Sequence, residues 1–483
     1  MSPYLVLGIL LAYFFVLIGI SWMTSRKANT ETFFTGNRQS PWYVVAFGMV
    51  GATLSGVTFI SVPGEVGNSA FSYLQFVLGN IVGYWLVAAI LLPLYYKMSL
   101  VSIYTFLQRR FGEKSYKTGS FFFLVSKLVG AAFRLFLVAG VLQLAFFDAF
   151  HIPFSLTVVV TIGLIWIYTF RGGIKTIVWT DTLQTLFLVS AVVFTIVAIS
   201  NKMNWNFSEI VNQVWNDNNS QIFFWGWRSP NNFFKQFFAG MFVTIVMVGM
   251  DQDMMQKNLT CRNKKEAQKN MVVFSFAFLA TVFLFLCLGV LLYDFARLSG
   301  ISIPAKTDDL YPLLALQHLG LPVGIAFLLG ITAAAYSSAD SALTALTTSF
   351  SVDFLKIERF EEKKKQRIKR WSHFMFSFLL IVVIILFRAI NNESIVVAVF
   401  RVAGYTYGPI LGLFVFGLVS ERKVIDKWVP FIAVFSPVIC FFISKYSEIL
   451  FNGYKFGFEL LILNGLLTFT GLFLVSAKNV EEV

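Results

Sequence analysis

The chain has 483 residues, 57% hydrophobic and 13% charged, where an ordinary soluble domain carries about 25% charge. Its net charge of +13 points to a nucleic-acid partner only until the basic residues are located. They gather in short loops between apolar runs, as membrane insertion produces. Several runs exceed the roughly 18 residues of a bilayer-crossing helix, and none shows the short alternation of barrel strands. The sequence therefore predicts an all-α polytopic membrane protein.

Taken in chain order, the first span, 4–22, lacks a basic stretch ahead of it and a small-residue cleavage site, so it reads as a retained helix. Span two, 42–62, carries Gly48, Gly51 and Gly56 among Thr53, Ser55, Thr58 and Ser61, then Pro63-Gly64. Spans three and four follow at 72–96 and 121–147. Lys127 is near enough to the start of span four to snorkel, whereas Arg134, roughly 20 Å deep, needs a carboxylate from solute or protein. Spans five and six are 154–170 and 182–200, with Asp181 at the start of the latter. Span seven, 234–255, carries Gly240 and Gly249 before Asp251-Gln252-Asp253, and span eight is 271–293. Span nine, 325–352, contains Ala333 to Ser341, and spans ten to thirteen are 371–388, 395–418, 428–444 and 458–476.

One alternate set of loops holds 27 of the 38 Lys and Arg and the other holds 7, which places the first set in the cytoplasm, the N-terminus outside and the C-terminus inside. The long loops 201–233 and 294–324 are then external, each with room for a short helix or lid. Loop 356–370 mixes Glu with Lys as a solvated helical connection does, and no soluble domain is expected at either end. Cys261, Cys287 and Cys440 have no metal-ligand or disulfide spacing.

Spans two to six (42–200) and seven to eleven (234–418) are two sets of five helices. Because five is odd, the second set is inverted relative to the first, the arithmetic of a transporter repeat whose site lies where the first helix of each set breaks. Residues 1–41 then add one helix and a cytoplasmic loop, 201–233 is an external loop, and 419–483 supplies two C-terminal helices. The glycines of spans two and seven fit either helix breakage or close packing.

No hydrolase triad, phosphate loop or dinucleotide fingerprint is present, and His151, His318 and His373 lie at span ends or in loops, so an enzyme is the weak reading. What remains are polar groups at membrane depth, which are costly unless paired or functional. Ser337 and Ser341 share a helix face with Asp340. With carbonyls freed by a broken helix, they offer hard oxygens to a small cation; the bland alternative is that each serine bonds its own i−4 carbonyl. Asp181 is either an acid at a helix N-terminus or part of a second ion site.

Gly36-Asn37-Arg38, Val62-Pro63-Gly64, Tyr168-Thr169-Phe170-Arg171-Gly172-Gly173, Trp179-Thr180-Asp181-Thr182-Leu183-Gln184, Gly249-Met250-Asp251-Gln252 with Gln256, and Ala334 to Ser338 with Ser351-Val352-Asp353 together resemble the sodium:solute symporter family. The resemblance runs in order over nearly the whole chain. It implies a five-plus-five inverted-repeat (LeuT-like) core with about 13 transmembrane helices, and Na+ as coupling ion. The main Na+ site would be Gly51, Leu54, Ala334, Ser337 and Ser338, and a second would use Asp181, Asp340 and Ser341. Asp340 stands where many relatives carry Ser or Thr, which puts that second site in question and opens a role for H+.

In the branch that carries sialic acid, an arginine pairs with the solute carboxylate, and Arg134 occupies a similar place. Thr53, Ser55, Thr58, Gln75 and Gln252 are expected beside it. The resemblance thus implies Na+-coupled import of an acidic solute, a sialic acid or monocarboxylate, by alternating access in the inner (plasma) membrane. The alternatives are a neutral sugar, amino acid or polyol with Arg134 structural, and, in another class, a solute sensor or uncoupled facilitator. Its partners would be the solute, sodium and the lipid bilayer, with no nucleic acid; the sequence does not speak to oligomeric state.

Overall fold

The computed structural model describes residues 3–25, 30–390 and 395–477. Arg26, Lys27 and Lys478, three of the basic residues expected in cytoplasmic loops, lie outside them. In lipid every backbone N–H and C=O must be satisfied within the segment, and a helix does this locally. All thirteen apolar segments are accordingly helical.

In chain order the fifteen helices that carry them are α1 (Pro3–Ser25), α2 (Trp42–Thr53), α3 (Gly56–Ser69), α4 (Tyr73–Leu86), α5 (Glu113–Ala145), α6 (Phe154–Met203), α7 (Phe233–Thr244), α8 (Gln252–Asn258), α9 (Lys264–Leu298), α10 (Leu321–Ser349), α11 (Glu362–Ile390), α12 (Ile395–Thr406), α13 (Gly408–Val419), α14 (Val429–Lys445) and α15 (Leu460–Leu474), with α6 carrying two segments and three segments split in two. Among the described residues, eight helices are long and apolar enough to cross a bilayer, and a ninth is if the bent pair α7–α8 counts as one span. Besides these helices, Lys423–Val424 and Ser476–Ala477 form a short antiparallel ladder with Lys423 opposite Ala477.

The loops carry the expected helices. Phe207–Asn216 is fixed by a reciprocal cap: the Asn206 side chain accepts from the Glu209 N–H at 2.9 Å, and Glu209 Oε2 accepts from the Asn206 N–H at 2.6 Å. Two predicted boundaries move. The second half of α6 starts at Gly173, whose φ of 53° marks the bend, so Arg171 and Lys175 do not bracket a long loop and Asp181 lies inside the helix, fully buried. Helix α5 starts at Glu113, which puts Lys127 deep in it.

Helix α10 is the centre of the molecule. Residues 327–349 are buried except for the half-buried Leu329, and the helix packs extensively against α6. Close approach elsewhere relies on small residues: a Cβ built at Gly79 of α4 would lie 1.9 Å from the Phe237 carbonyl oxygen, and one at Gly240 of α7 2.0 Å from that of Phe76.

Candidate cation and solute site

The first core helix breaks between α2 and α3. Leu54 sits at φ −77°, ψ 74° and Ser55 at φ −66°, ψ 171°. The Ser55 N–H, which an unbroken helix would send to Gly51, donates instead to the Thr53 carbonyl at 3.0 Å, and the next ladder begins with Phe59 N–H to Ser55 at 3.0 Å. The carbonyls of Gly51 and Leu54 thereby lose their helical donors. Gly51 also lets α2 seat on α6: its N–H meets Thr185 Oγ1 at 2.9 Å, and a Cβ there would come within 2.3 Å of that oxygen.

The second break separates α7 from α8, with a bend of 69°. Glycine 240 is not its cause, since it lies within α7 as a packing residue. The ladder fails at Met250–Asp251, where Tyr95 Oη donates to the Gly249 carbonyl at 2.8 Å and Tyr104 Oη to that of Met250 at 2.9 Å. Asp251 caps α8 by accepting from the Asp253 N–H at 2.9 Å.

Between the two breaks and α10 is a cavity of about 410 Å³, within the range of small-molecule sites, roughly 300–1,000 Å³. It brings together Thr53, Ser55, Thr58, Arg134 and Ser338. Ser337 and Ser338 stand at the middle of the helical stretch Leu321–Phe354. Thr53 Oγ1 and Ser338 Oγ are buried without a hydrogen-bond partner among the described residues, a costly state for a hydroxyl that a bound cation or solute relieves. Ser337 Oγ donates to Asp181 Oδ1 at 2.5 Å, which leaves its lone pairs for an ion. These donors, all neutral oxygens beside freed carbonyls, suit a hard monovalent cation.

Arg134 also faces this cavity, and among the described residues no carboxylate lies within salt-bridge distance of it. One end of the cavity is roofed by Tyr73 stacked on Phe76 with centroids 5.5 Å apart, and by Phe458 edge-on to Phe76 at 5.5 Å. Toward the other end, Lys127 pairs with Asp253 at 2.6 Å and with Asp251 at 3.4 Å, and Tyr407 Oη donates to Asp251 Oδ2 at 2.6 Å. Lys127 therefore does not snorkel; two buried carboxylates hold it.

Two expected solute contacts lie elsewhere. Gln75 spends its amide on the loop, donating to the Asn231 carbonyl at 2.9 Å and accepting from the Phe224 N–H at 3.1 Å. Gln252 clasps the Val101 carbonyl at 2.7 Å and the Ile103 N–H at 3.0 Å. Both amides are held by backbone groups of the protein and neither lines the cavity.

Lysine 257, counted with the basic loop residues, is buried, with its ammonium 2.8 Å from Asp181 Oδ2. Asp253 four residues before it on the same helix, 3.9 Å away, was the available signal that this lysine has a carboxylate neighbour; its partner Asp181 comes from a distant segment and left none. Asp340 accepts from Tyr168 Oη at 2.8 Å, and Ser341 donates to it at 3.2 Å.

Two broken helices, a central hydroxyl-bearing helix and a largely apolar cavity with a few convergent polar groups at their meeting point define a multi-pass membrane carrier for an ion and a small solute. The sequence pattern of the Sodium:solute symporter family matches residues 33–424, and the chain belongs to that family. It is a Na+-coupled carrier of a small organic solute, and the family is one of transporters, not enzymes.

The Sodium/sialic acid symporter SiaT of Proteus mirabilis (strain HI4320) is 25% identical over 84% of this chain and 82% of its own length. The Sodium/sialic acid symporter NanT of Aliivibrio fischeri (strain ATCC 700601 / ES114) is 26% identical over 86% and 82%. A substrate-bound, outward-open structure of a Na+-coupled sialic acid symporter superposes with a TM-score of 0.81 at 19% identity, covering 98% of this chain and 99% of that one. Mhp1, a nucleobase-cation-symport-1 family transporter in a closed conformation, gives 0.54 at 13% identity over 93% and 96%. These last two likenesses are of fold.

Proposed function

We propose that the chain imports an acidic solute, of the sialic-acid or monocarboxylate kind, together with Na+ across the inner membrane. The observation that carries this reading is Arg134: a guanidinium with no carboxylate among the described residues within salt-bridge reach, facing a cavity lined mostly by apolar and hydroxyl-bearing residues, in which the carboxylates of Asp251 and Asp253 are already paired with Lys127. Such a charge is stabilised by a partner carboxylate. The solute would lie between Arg134 and the Thr53, Ser55 and Thr58 face of the first break. Relatives that carry sialic acid support the chemical class.

Sodium takes the freed carbonyls of Gly51 and Leu54, the carbonyl of Ala334, and the hydroxyls of Ser337 and Ser338. It ties the break to α10 and shapes the solute side of the same cavity, so sodium binds first. The occupied carrier then rocks to release both. In this reading the chain crosses the bilayer thirteen times with its N-terminus outside, and residues 42–200 and 234–418 are the inverted halves, supported by the alternation of basic loops.

A thermal-shift screen of the purified protein against acidic and neutral solutes, with Na+ or choline, tests the reading. N-acetylneuraminate or a monocarboxylate should stabilise only in Na+, and Arg134→Gln should abolish that response while sparing stabilisation by Na+ alone. Equal stabilisation of wild type and Arg134→Gln by an acidic ligand would exclude this role for Arg134, and uptake unchanged in sodium-free buffer would exclude coupling.

A further inference from the structure

Lys257 is 1% exposed, and its ammonium stands 2.8 Å from Asp181 Oδ2 and 3.9 Å from Asp253 Oδ1. It rides on α8, just past the second break, and reaches across to α6. Beside it the carboxylates of Asp181 and Asp340 have every oxygen facing a donor. Asp181 Oδ1 receives the Ser337 hydroxyl at 2.5 Å, and the Gln184 amide nitrogen, turned to suit its neighbours, lies 3.1 Å from the same atom. Asp340 Oδ2 receives Tyr168 Oη at 2.8 Å and Oδ1 receives Ser341 Oγ at 3.2 Å. Asp181 Oδ2 and the Lys257 ammonium meet as an ion pair rather than through an aligned hydrogen bond, whereas the buried hydroxyl oxygens of Ser338 and Thr53 have neither kind of partner among the described residues.

The carboxylate oxygens expected to hold a second Na+ are therefore already met by protein donors, and a unit positive charge already sits against Asp181. An ammonium fixed to the backbone is present at a very high effective concentration and sheds its water once, on folding, whereas a free ion must be desolvated at every cycle. The residues fit a tethered cation and not a second exchangeable one.

We infer that the Lys257 ammonium is the carrier's second cation, built into the chain where Asp181, Asp340 and Ser341 would otherwise hold Na+, so that each chain binds one Na+. Asp181 then serves the main site indirectly. Fixed by Lys257, it accepts the Ser337 hydroxyl hydrogen bond and so aims that hydroxyl's lone pairs at the ion. The inference rests on the sodium site given under Proposed function.

Binding of ²²Na+ to the purified protein, with choline holding ionic strength constant, measures the number of sites. Wild type should bind one Na+ per chain, and Ser338→Ala should weaken that binding at least about tenfold, leaving no other site. Two Na+ per wild-type chain, or one of undiminished affinity left in Ser338→Ala, would overturn the inference while leaving sodium coupling intact. No saturable binding to wild type at all would remove the sodium site itself, and the inference with it.

Lys257→Gln vacates the position and should raise the count to two in protein that stays monodisperse and helical, while Lys257→Arg should keep one. A folded Lys257→Gln protein that still binds a single Na+ would count against the tethered cation. Should Lys257→Gln fail to fold, the wild-type and Ser338→Ala counts decide the question.

Discussion

Arg134 and Lys127 are both cations of α5, yet their environments assign them opposite work. Lys127 lies between Asp253 and Asp251, and removing one partner of a buried ion pair leaves an uncompensated charge worth about 3–5 kcal/mol. Lys127→Met should therefore lower thermal stability sharply, and Lys127→Met combined with Asp253→Asn should regain much of the loss, as read by melting in detergent. A double variant no better than the single one would show that the pair is not the coupling unit. Arg134 has no such partner among the described residues, so Arg134→Lys should leave stability nearly unchanged. It should raise the KM for an acidic solute by about 10- to 100-fold, the value of roughly 1.5–3 kcal/mol for a hydrogen bond to a charged group. The sequence separated these two only in part. Depth singled out Arg134 because it lies too far from the helix end to reach water, but the same test misread Lys127, since the true start of α5 at Glu113 is hidden by polar residues that an apolar-run criterion discards. Lys257 was missed for a related reason: in a basic stretch, one buried lysine looks like its solvated neighbours.

Elements add a constraint that residue lists do not contain, namely how closely two helices approach. Gly51 has both of the properties in question, one residue serving contact with α6 and the break that follows. Its amide meets Thr185 Oγ1 at 2.9 Å, and a Cβ would collide with that oxygen at 2.3 Å. Overpacking of this kind costs about 1–3 kcal/mol. Gly51→Ala should push α2 off α6, displace the freed carbonyls, and weaken Na+ stabilisation more than it lowers the melting temperature in choline. Thr185→Ala in that background should recover part of the Na+ response; no recovery would mean that the collision is not with the hydroxyl. The break at Leu54–Ser55 was legible, because glycines and hydroxyls crowd there within an apolar run. The second was legible only as a region. Gly240 drew attention, yet it packs against Phe76, and the ladder ends at Met250–Asp251, where Tyr95 and Tyr104 come from distant segments to satisfy the carbonyls. Such satisfaction is tertiary and leaves no local pattern.

For the whole molecule, the decisive quantity is the charge moved per cycle. The buried network of Lys127, Lys257, Asp181, Asp251 and Asp253 travels with the protein and contributes nothing to the count of exchangeable ions. If one Na+ accompanies one monoanionic solute, the loaded carrier adds no net charge, and the membrane potential does no work on that step. A second Na+ would add one charge and about 2.3 kcal/mol per 100 mV, roughly a fiftyfold difference in the accumulation ratio. In proteoliposomes with a fixed Na+ gradient and a potassium diffusion potential set by valinomycin, steady-state accumulation of the acidic solute should therefore be nearly the same at 0 and −100 mV. Lys257→Gln, which admits a second Na+, should become voltage-driven under the same conditions. Strong voltage dependence in the wild type would mean that an exchangeable cation beyond the first crosses with the solute, and the tethered ammonium could not then be the carrier's second charge.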